Sequence, residues 1–265
     1  MKPRADTVTL SGGNVEVEWH GPDPAGATTL VFLHEGLGSV SIWRDFPARL
    51  AEATGTAALV YSRFGYGAST PCRLPRPLTY MHDEGLIHLP ELITATGIKD
   101  HVVIGHSDGG SIALIYAGAG ARPGLRGMAL MAAHVFIEAI NVKSIAAARV
   151  AFDAGDLRER LVRHHGANTD CAFNGWCDAW LDPDFMHWNI EDYLPTVTVP
   201  LLVLQGSDDQ YGTITQVQKI EAQTGGPADV LLLPDCGHSP HREAADVTLG
   251  AMTAFITGLK SGRVL

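Results

Sequence analysis

Residues 102–117 are VVIGHSDGGSIALIYA, a β-branched run followed by a glycine-rich turn and an apolar, alanine-rich segment. The first run is too short and too apolar for an amphipathic surface helix, so it predicts a buried strand. The segment after the turn predicts a helix. Gly105 and Gly109 flank Ser107 at the spacing G-x-S-x-G, which lets the strand end and the helix start approach closely. We therefore expect Ser107 on a tight strand-to-helix turn, facing outward, with the positive end of the helix dipole behind it.

Short apolar strands and helices alternate on both sides of this turn. We expect strands at 29–33, 57–61, 102–104, 127–131, 200–204 and 229–233, and helices at 42–53, 80–96, 111–119, 215–224 and 242–259. This order predicts right-handed crossovers and a mostly parallel sheet with helices on both faces, which is an α/β fold. Residues 7–10 and 14–19 predict an antiparallel hairpin at one sheet edge. Active sites in such sheets lie beyond the C-terminal ends of the strands.

The strand pattern disappears between residues 134 and 195, where helical segments are broken by glycine and proline. Three of the five tryptophans, Trp176, Trp180 and Trp188, fall in this region. We expect a helical cap inserted into a core formed by residues 1–133 and 196–265. The alternative is a small helical subdomain that only packs on the core.

Composition narrows the class of partner. The 265 residues carry a formal net charge of −10, which argues against nucleic acid and anionic membrane surfaces and favours a small-molecule partner. No apolar run is long enough to span a bilayer, and the N-terminal residues lack the pattern of a secretory signal, so we expect a cytoplasmic protein. The sequence leaves a homodimer open.

The cysteines and histidines show no metal-binding pattern. Cys72, Cys171, Cys177 and Cys236 have neither C-x-x-C spacing nor the density of a disulfide scaffold, so we interpret them as reduced packing residues. The twelve histidines contain no H-E-x-x-H motif. We therefore predict no metal site.

A serine hydroxyl is a poor nucleophile at neutral pH, so it needs a base and an acid that orients the base. Asp208 and Asp209 follow the predicted strand at 200–204, and His238 follows the strand at 229–233. The chain order Ser107, Asp209, His238 differs from the orders of the two well-known serine protease classes.

These features resemble the α/β-hydrolase superfamily from Thr29 to the last helix. LHEGLGS at 33–39 resembles the oxyanion loop of that family, SRFGYGAS at 62–69 resembles its G-x-G-x-S turn, and Gly237-His238 resembles its histidine loop. The sequence is most similar to bacterial carboxylesterases and lactonases with a helical cap after the sixth strand. The resemblance implies an α/β-hydrolase fold and no cofactor.

The resemblance also implies roles for individual residues. Ser107 would be the nucleophile, His238 the general base and then acid, and Asp209 the group that holds the imidazole. The main-chain N–H groups of Gly36 and Asp108 would bind the oxyanion. The family pattern favours Asp209 over Asp208, and His238 over His241.

Two acidic residues depart from the pattern. Most relatives have glycine where Glu35 stands, and its carboxylate would repel the developing negative charge unless it is neutralised. We expect Glu35 to pair with Arg63; the alternative is a solvated side chain. The Asp108 carboxylate is expected to cap its helix, although it could also attract a cationic substrate such as an amino acid ester. His106 is expected to face away from the site, and His34 to support the oxyanion loop.

We therefore expect an enzyme that cleaves a small carboxylic ester or lactone through an acyl-enzyme. Aminopeptidase or amidase, thioesterase and C–C hydrolase activities would use the same triad, and a non-catalytic ligand receptor could keep it. A dinucleotide-dependent oxidoreductase is disfavoured because the third glycine of the fingerprint is missing, and a dehalogenase because it needs a carboxylate nucleophile. Candidate pocket residues, each of which could instead be core, are Leu37, Ile42, Trp43, Val135, Phe136, Trp176 and Trp180.

Overall fold

A computed structural model describes residues 4–262, whose strands form one eight-stranded sheet of order β1-β2-β4-β3-β5-β6-β7-β8. β1 and β2 form an antiparallel hairpin and β2 pairs antiparallel with β4, whereas all pairs from β4 to β8 are parallel. The strands are β1 Arg4–Leu10, β2 Gly13–His20, β3 Thr29–Leu33, β4 Ala57–Tyr61, β5 His101–His106, β6 Leu125–Met131, β7 Leu201–Gly206 and β8 Ala228–Leu233. The predicted α/β architecture is confirmed.

Helices cover both faces of this sheet. They are α1 Phe46–Thr54, α2 Tyr80–Asp83, α3 Leu89–Ala95, α4 Asp108–Gly118, α5 Ala139–Ala154, α6 Leu157–His165, α7 Thr169–Leu181, α8 Ile214–Gln223, α9 Pro240–Glu243 and α10 Ala245–Lys260. Alternate residues of the central strands enter different cores. Val31 and Val103 pack with α4, whereas Phe32 and Ile104 pack with α1 and α10 on the other face. No helix within residues 4–262 combines the length and apolarity that crossing a membrane requires.

Three predicted helices are interrupted, and the one expected at 242–259 is broken near its start, at Ala244 between α9 and α10. The segment expected as one helix at 42–53 is a short 3₁₀ helix, Val40–Trp43, followed by α1, because Arg44 has a positive φ of 55°. The segment expected at 80–96 contains a π-helical turn, Glu84–His88, between α2 and α3. Pro90 lies in the first turn of α3, separated from the π-helical turn by Leu89, and its missing N–H removes a regular helical hydrogen bond.

The region between β6 and β7 contains α5, α6 and α7, and its only β-type pairing is an isolated bridge between Phe136 and Asn189. The Phe152 and Phe173 rings stack with centroids 3.7 Å apart and join α5 to α7. The helices of this region also contact the sheet core. Trp176 on α7 lies so close to Gly36 that a Cβ placed on this glycine would be 2.1 Å from Nε1 of the tryptophan. Trp176 therefore packs directly on the loop after β3.

Candidate active site

Ser107 lies on a strained turn between β5 and α4, with φ 52° and ψ −117°. A positive φ at a non-glycine residue costs about 1–3 kcal/mol, so the surrounding structure must hold it. The Ser107 N–H donates to the Met131 carbonyl at 2.8 Å, and the Ser107 carbonyl accepts from the Gly110 N–H at 2.8 Å. A Cβ on Gly105 would lie 2.5 Å from the Gly109 carbonyl oxygen, so the strand and helix meet this closely only with glycine.

His238 and Asp209 form a buried pair. Nδ1 of His238 lies 2.9 Å from each carboxylate oxygen of Asp209, and it therefore donates its proton to the carboxylate. The same carboxylate accepts from the Tyr211 N–H and from Nε2 of Gln205, each at 2.8 Å. Burial raises the pKa of Asp209, but the His238 ring and the Tyr211 N–H together lower it by a larger amount. The net pKa therefore lies below its usual value. This pairing leaves Nε2 of His238 as the proton acceptor.

The alternative acid and base lie elsewhere. Asp208 is exposed, whereas Asp209 is buried beside His238. His241 is buried beneath the site, with its ring 4.8 Å from Trp43 between centroids, and burial lowers its pKa to about 3. Neither Asp208 nor His241 lines the cavity that contains His238.

The loop after β3 is fixed by three hydrogen bonds to one oxygen. The Glu35 carbonyl accepts from Nδ1 of His34 at 2.7 Å, from Nη2 of Arg63 at 2.9 Å and from the Gly38 N–H at 3.1 Å. A trans peptide bond points its C=O and the following N–H in opposite directions. The three donors therefore turn the Gly36 N–H to the other side of the peptide.

Two free main-chain N–H groups border the cavity. Asp108 is the first residue of α4, so its N–H has no partner within the helix. The Gly36 N–H donates no hydrogen bond to another group within the described residues 4–262. Gly36, Asp108, Ser107 and His238 all line the same cavity. Such a pair of donors is suited to bind an oxygen that develops negative charge.

His34 supports this loop in a single tautomer. Its Nε2 accepts from the Arg63 N–H at 3.1 Å, so the proton is on Nδ1, which donates to Glu35. His165 of α6 acts similarly, because its Nδ1 accepts from the Gly67 N–H and its Nε2 donates to the Leu37 carbonyl at 3.0 Å.

The Asp108 side chain does not form a helix cap. Its Oδ2 accepts from the Tyr80 hydroxyl at 2.6 Å and lies 3.8 Å from Nη2 of Arg63. Nε1 of Trp180 in turn donates to the Tyr80 hydroxyl at 2.8 Å. The other oxygen, Oδ1, is buried and has no hydrogen-bond partner among the described residues.

We expected the Glu35 carboxylate to pair with Arg63, but this prediction is wrong. Arg63 donates to the Glu35 main-chain carbonyl instead. The Glu35 carboxylate lies 3.4 Å from Nδ1 of His106, whose Nε2 donates to the His238 carbonyl at 2.7 Å. Burial lowers the pKa of His106, but Glu35 and the His238 carbonyl raise it above its usual value. For Glu35 the effects are reversed: burial raises its pKa, but the contact with His106 outweighs burial and lowers the pKa below its usual value. These opposite pKa shifts are those of an ion pair between the loop after β3 and the end of β5.

The cavity occupies about 450 Å³, including open solvent at its mouth. Of the predicted pocket residues, Leu37, Trp176 and Trp180 line it. Trp43 packs under the sheet against Phe32, with centroids 5.2 Å apart, and Ile42 precedes it in the same 3₁₀ helix. Val135 and Phe136 are also away from the cavity, because Val135 is fully buried in the core and Phe136 pairs with Asn189.

Five cavity residues were missed by the sequence analysis as pocket residues: Glu35, His134, Asn141, Ile145 and Tyr211. His134 and Tyr211 follow β6 and β7 closely, so the rule that sites lie beyond strand ends could have found them. Nothing in the pattern of α5 indicated Asn141 or Ile145.

His134 and Asn141 both donate to the Tyr211 carbonyl, His134 through Nε2 at 3.1 Å and Asn141 through Nδ2. Burial and the nearby His238 lower the pKa of His134 to about 4, so the ring is neutral. Its Nδ1 is buried without a partner among residues 4–262. Within those residues, no group of three or more His, Cys, Asp or Glu side chains is arranged to hold a metal ion.

Residues 30–251 match the sequence profile of the alpha/beta hydrolase family. Because this match spans most of the sequence, the chain belongs to that family. No significant match was found among curated proteins.

Solved structures share the fold at low identity. A proline iminopeptidase from Mycobacterium smegmatis is 20% identical, with a TM-score of 0.70 and coverage of 98% of this chain and 100% of that one. An esterase from Exiguobacterium antarcticum is 16% identical, with a TM-score of 0.75 and coverage of 96% and 99%. An epoxide hydrolase from metagenomes of hot environments is 21% identical, with a TM-score of 0.75 and coverage of 97% and 100%. At these identities the likeness shows the fold alone.

The Glu35–His106 pair predicts a pH-dependent stability. The raised pKa of His106 stabilises the fold below pH 6.5 and this contribution is lost as pH rises through the folded pKa; the lowered pKa of Glu35 stabilises it above pH 4.5. Glu35→Gln should therefore lower the free energy of unfolding at pH 5.5 by about 1–3 kcal/mol, and by less at pH 9. Urea unfolding at both pH values measures the difference.

The matched control is Glu52→Gln, which changes an exposed glutamate and should have little effect at either pH. An equal loss of stability at pH 5.5 and pH 9 in Glu35→Gln would show that the ion pair does not exist.

Proposed function

We propose that this chain is a serine hydrolase that cleaves a carboxylic ester or a lactone through an acyl-enzyme intermediate. The observation that carries the proposal is the Asp209–His238 pair, which lies beside the same cavity as Ser107 and two free main-chain N–H groups. A hydroxyl becomes nucleophilic when a base takes its proton, and a carboxylate keeps that base in the required tautomer. Membership of the family and the esterase of the same fold support this class of reaction.

The proposed reaction has two halves. Nε2 of His238 takes the proton of the Ser107 hydroxyl as Oγ attacks the carbonyl carbon, and Asp209 stabilises the imidazolium that forms. The N–H groups of Gly36 and Asp108 bind the oxyanion of the tetrahedral intermediate. His238 then protonates the leaving alkoxide, and the acyl group stays on Ser107. In the second half, His238 activates water, which attacks the acyl carbonyl and releases the acid; no cofactor takes part.

We also propose that residues 134–195 form a cap that shapes the substrate cavity over a core of residues 1–133 and 196–265. Two observations support this role. Trp176 and Trp180 of α7 line the cavity. Asn168 donates to the carbonyls of Gly67 and Ser69, which holds the region against the turn after β4.

A serine nucleophile is compatible with some of the alternative reactions and not with others. An epoxide opened by a serine hydroxyl would leave an ether, which has no carbonyl for water to attack, so turnover would stop after one cycle. Amides, thioesters and C–C substrates would pass through the same acyl-enzyme and differ only in the leaving group. A ligand-binding protein without activity would keep the cavity but form no acyl-enzyme.

The unpartnered oxygen of Asp108 supports a more specific proposal for the substrate. Oδ1 of Asp108 is buried and has no hydrogen-bond donor among the described residues, and Asp108 lines the same cavity as Ser107. His134 also lines this cavity, and its Nδ1 is a second buried acceptor that has no donor among the described residues. Burying acceptors without partners is unfavourable, so we propose that the substrate supplies a donor. An ammonium group near the carbonyl would make the strongest bond with a carboxylate.

The acyl-enzyme is tested with p-nitrophenyl esters of several acyl lengths. The protein should release a burst of about one equivalent of nitrophenolate and Ser107→Ala should release none, because only the hydroxyl can be acylated. Asp209→Asn should lower kcat about 10³–10⁴-fold, because the amide no longer fixes the His238 tautomer. Stopped-flow absorbance measures both.

Asp208→Asn is the matched control, since it changes the exposed neighbouring carboxylate and should leave kcat within about twofold of the unmodified protein. A burst that survives in Ser107→Ala, or the absence of any burst across all acyl lengths, would reject the proposal.

The proposed bond between a substrate ammonium group and Asp108 is tested with methyl propionate and alanine methyl ester, which differ by one amino group. The protein should hydrolyse the alanine ester with a kcat/KM at least about tenfold higher, and Asp108→Asn should remove most of that preference, because the amide has no charge to pair with the ammonium. The ratio of the two substrates within each variant cancels any general loss of activity. Equal ratios in both proteins would contradict the role of Asp108.

A further inference from the structure

Two cysteines from distant parts of the chain meet beside the cap. Cys72 lies in the loop after β4 and Cys171 lies in the first turn of α7, and their Sγ atoms are 3.0 Å apart. Both are free thiols and both are partly exposed, whereas Cys177 and Cys236 are buried. A disulfide would need the sulfurs to approach by only about 1 Å more. The expectation that all four cysteines only fill space does not account for this contact.

The surroundings favour a thiolate on Cys72. Nη2 of Arg76 lies 3.0 Å from Cys72 Sγ and 3.2 Å from the Phe64 carbonyl, and Nη1 donates to the Tyr66 hydroxyl at 3.0 Å. These bonds hold the guanidinium against the sulfur. The hydrogen bond from Cys171 lowers the pKa of Cys72 to about 6 although burial opposes it, and Arg76 lowers it further. The same hydrogen bond raises the pKa of Cys171.

We propose that Cys72 and Cys171 are a reversible redox modification site, in which a hydroperoxide converts the pair to a disulfide. The Cys72 thiolate attacks one peroxide oxygen, the O–O bond breaks, and Cys72 becomes a sulfenic acid while hydroxide leaves. Cys171 then attacks the Cys72 sulfur and expels the sulfenic oxygen as water. The two thiols lose two electrons and two protons, and hydrogen peroxide becomes two molecules of water.

The disulfide would join the cap to the core. Cys171 is on the same helix as Trp176 and Trp180, which line the cavity, and Cys72 is on the loop after β4. The bond would close a loop of about 100 residues, which restricts the unfolded chain strongly. The oxidised protein therefore holds one wall of the cavity against the core, whatever reaction the cavity supports.

The experiment treats the full-length protein with a small excess of hydrogen peroxide and then alkylates it in denaturant. Titratable thiols should fall from four to two, the mass before alkylation should fall by about 2 Da, and peptide mapping should find the Cys72–Cys171 link. Dithiothreitol should restore all four thiols. The rate of oxidation should rise with pH through about 6, with the Cys72 pKa, and the oxidised form should melt about 5–10 °C higher.

Single variants separate the two roles. Cys171→Ser should stop at a sulfenic acid on Cys72 that dimedone captures, whereas Cys72→Ser should leave the other three thiols unreacted. Cys177→Ser is the matched control, and it should still form the link. Four thiols that remain after oxidation, a gain of about 32 Da on Cys72 with Cys171 still free, or a link between other cysteines would overturn the proposal.

Discussion

Three hydrogen bonds to the main-chain oxygen of Glu35 fix the geometry on which the proposed site depends. The donors come from His34 at the end of β3, Arg63 after β4 and Gly38 within the loop. Because the peptide bond is rigid, holding the carbonyl also orients the N–H of Gly36. The Arg63 guanidinium lies 3.8 Å from the Asp108 carboxylate as well, so one buried cation contacts Asp108 and the Glu35 carbonyl, whose peptide group carries the Gly36 N–H.

Buried histidines connect the loops around this oxygen. His34, His106, His134 and His165 each donate one ring N–H to a main-chain carbonyl. The bonds of His106, His134 and His165 each join segments that are far apart along the chain, and His34 does so through its Nε2, which accepts from the Arg63 N–H. His238 differs because, among the described residues, neither of its ring nitrogens binds a main-chain carbonyl: Nδ1 donates to the Asp209 carboxylate, which can stabilise positive charge, and Nε2 is left as a base.

The strand pattern of the sequence predicted the sheet well, since apolar β-branched runs such as 102–104 can only be buried on both faces. It placed Ser107 and Asp209 because turn glycines and strand ends leave local patterns. It failed for Trp43 and Glu35, whose positions depend on contacts with residues far along the chain: Trp43 packs beneath the sheet, and Glu35 meets His106 rather than Arg63. Long-range side-chain partners leave no periodic pattern, and the meeting of Cys72 with Cys171 was unpredictable for the same reason.

The central claim is that the Gly36 and Asp108 N–H groups converge on the oxygen of a group attached to Ser107. The most direct measurement is a crystal structure of the adduct with a nitrophenyl alkylphosphonate, whose phosphoryl oxygen imitates the oxyanion. We expect the phosphorus on Ser107 Oγ, with that oxygen about 2.7–3.1 Å from both nitrogens. An adduct on another residue, or an oxygen beyond hydrogen-bond distance of both nitrogens, would contradict the account.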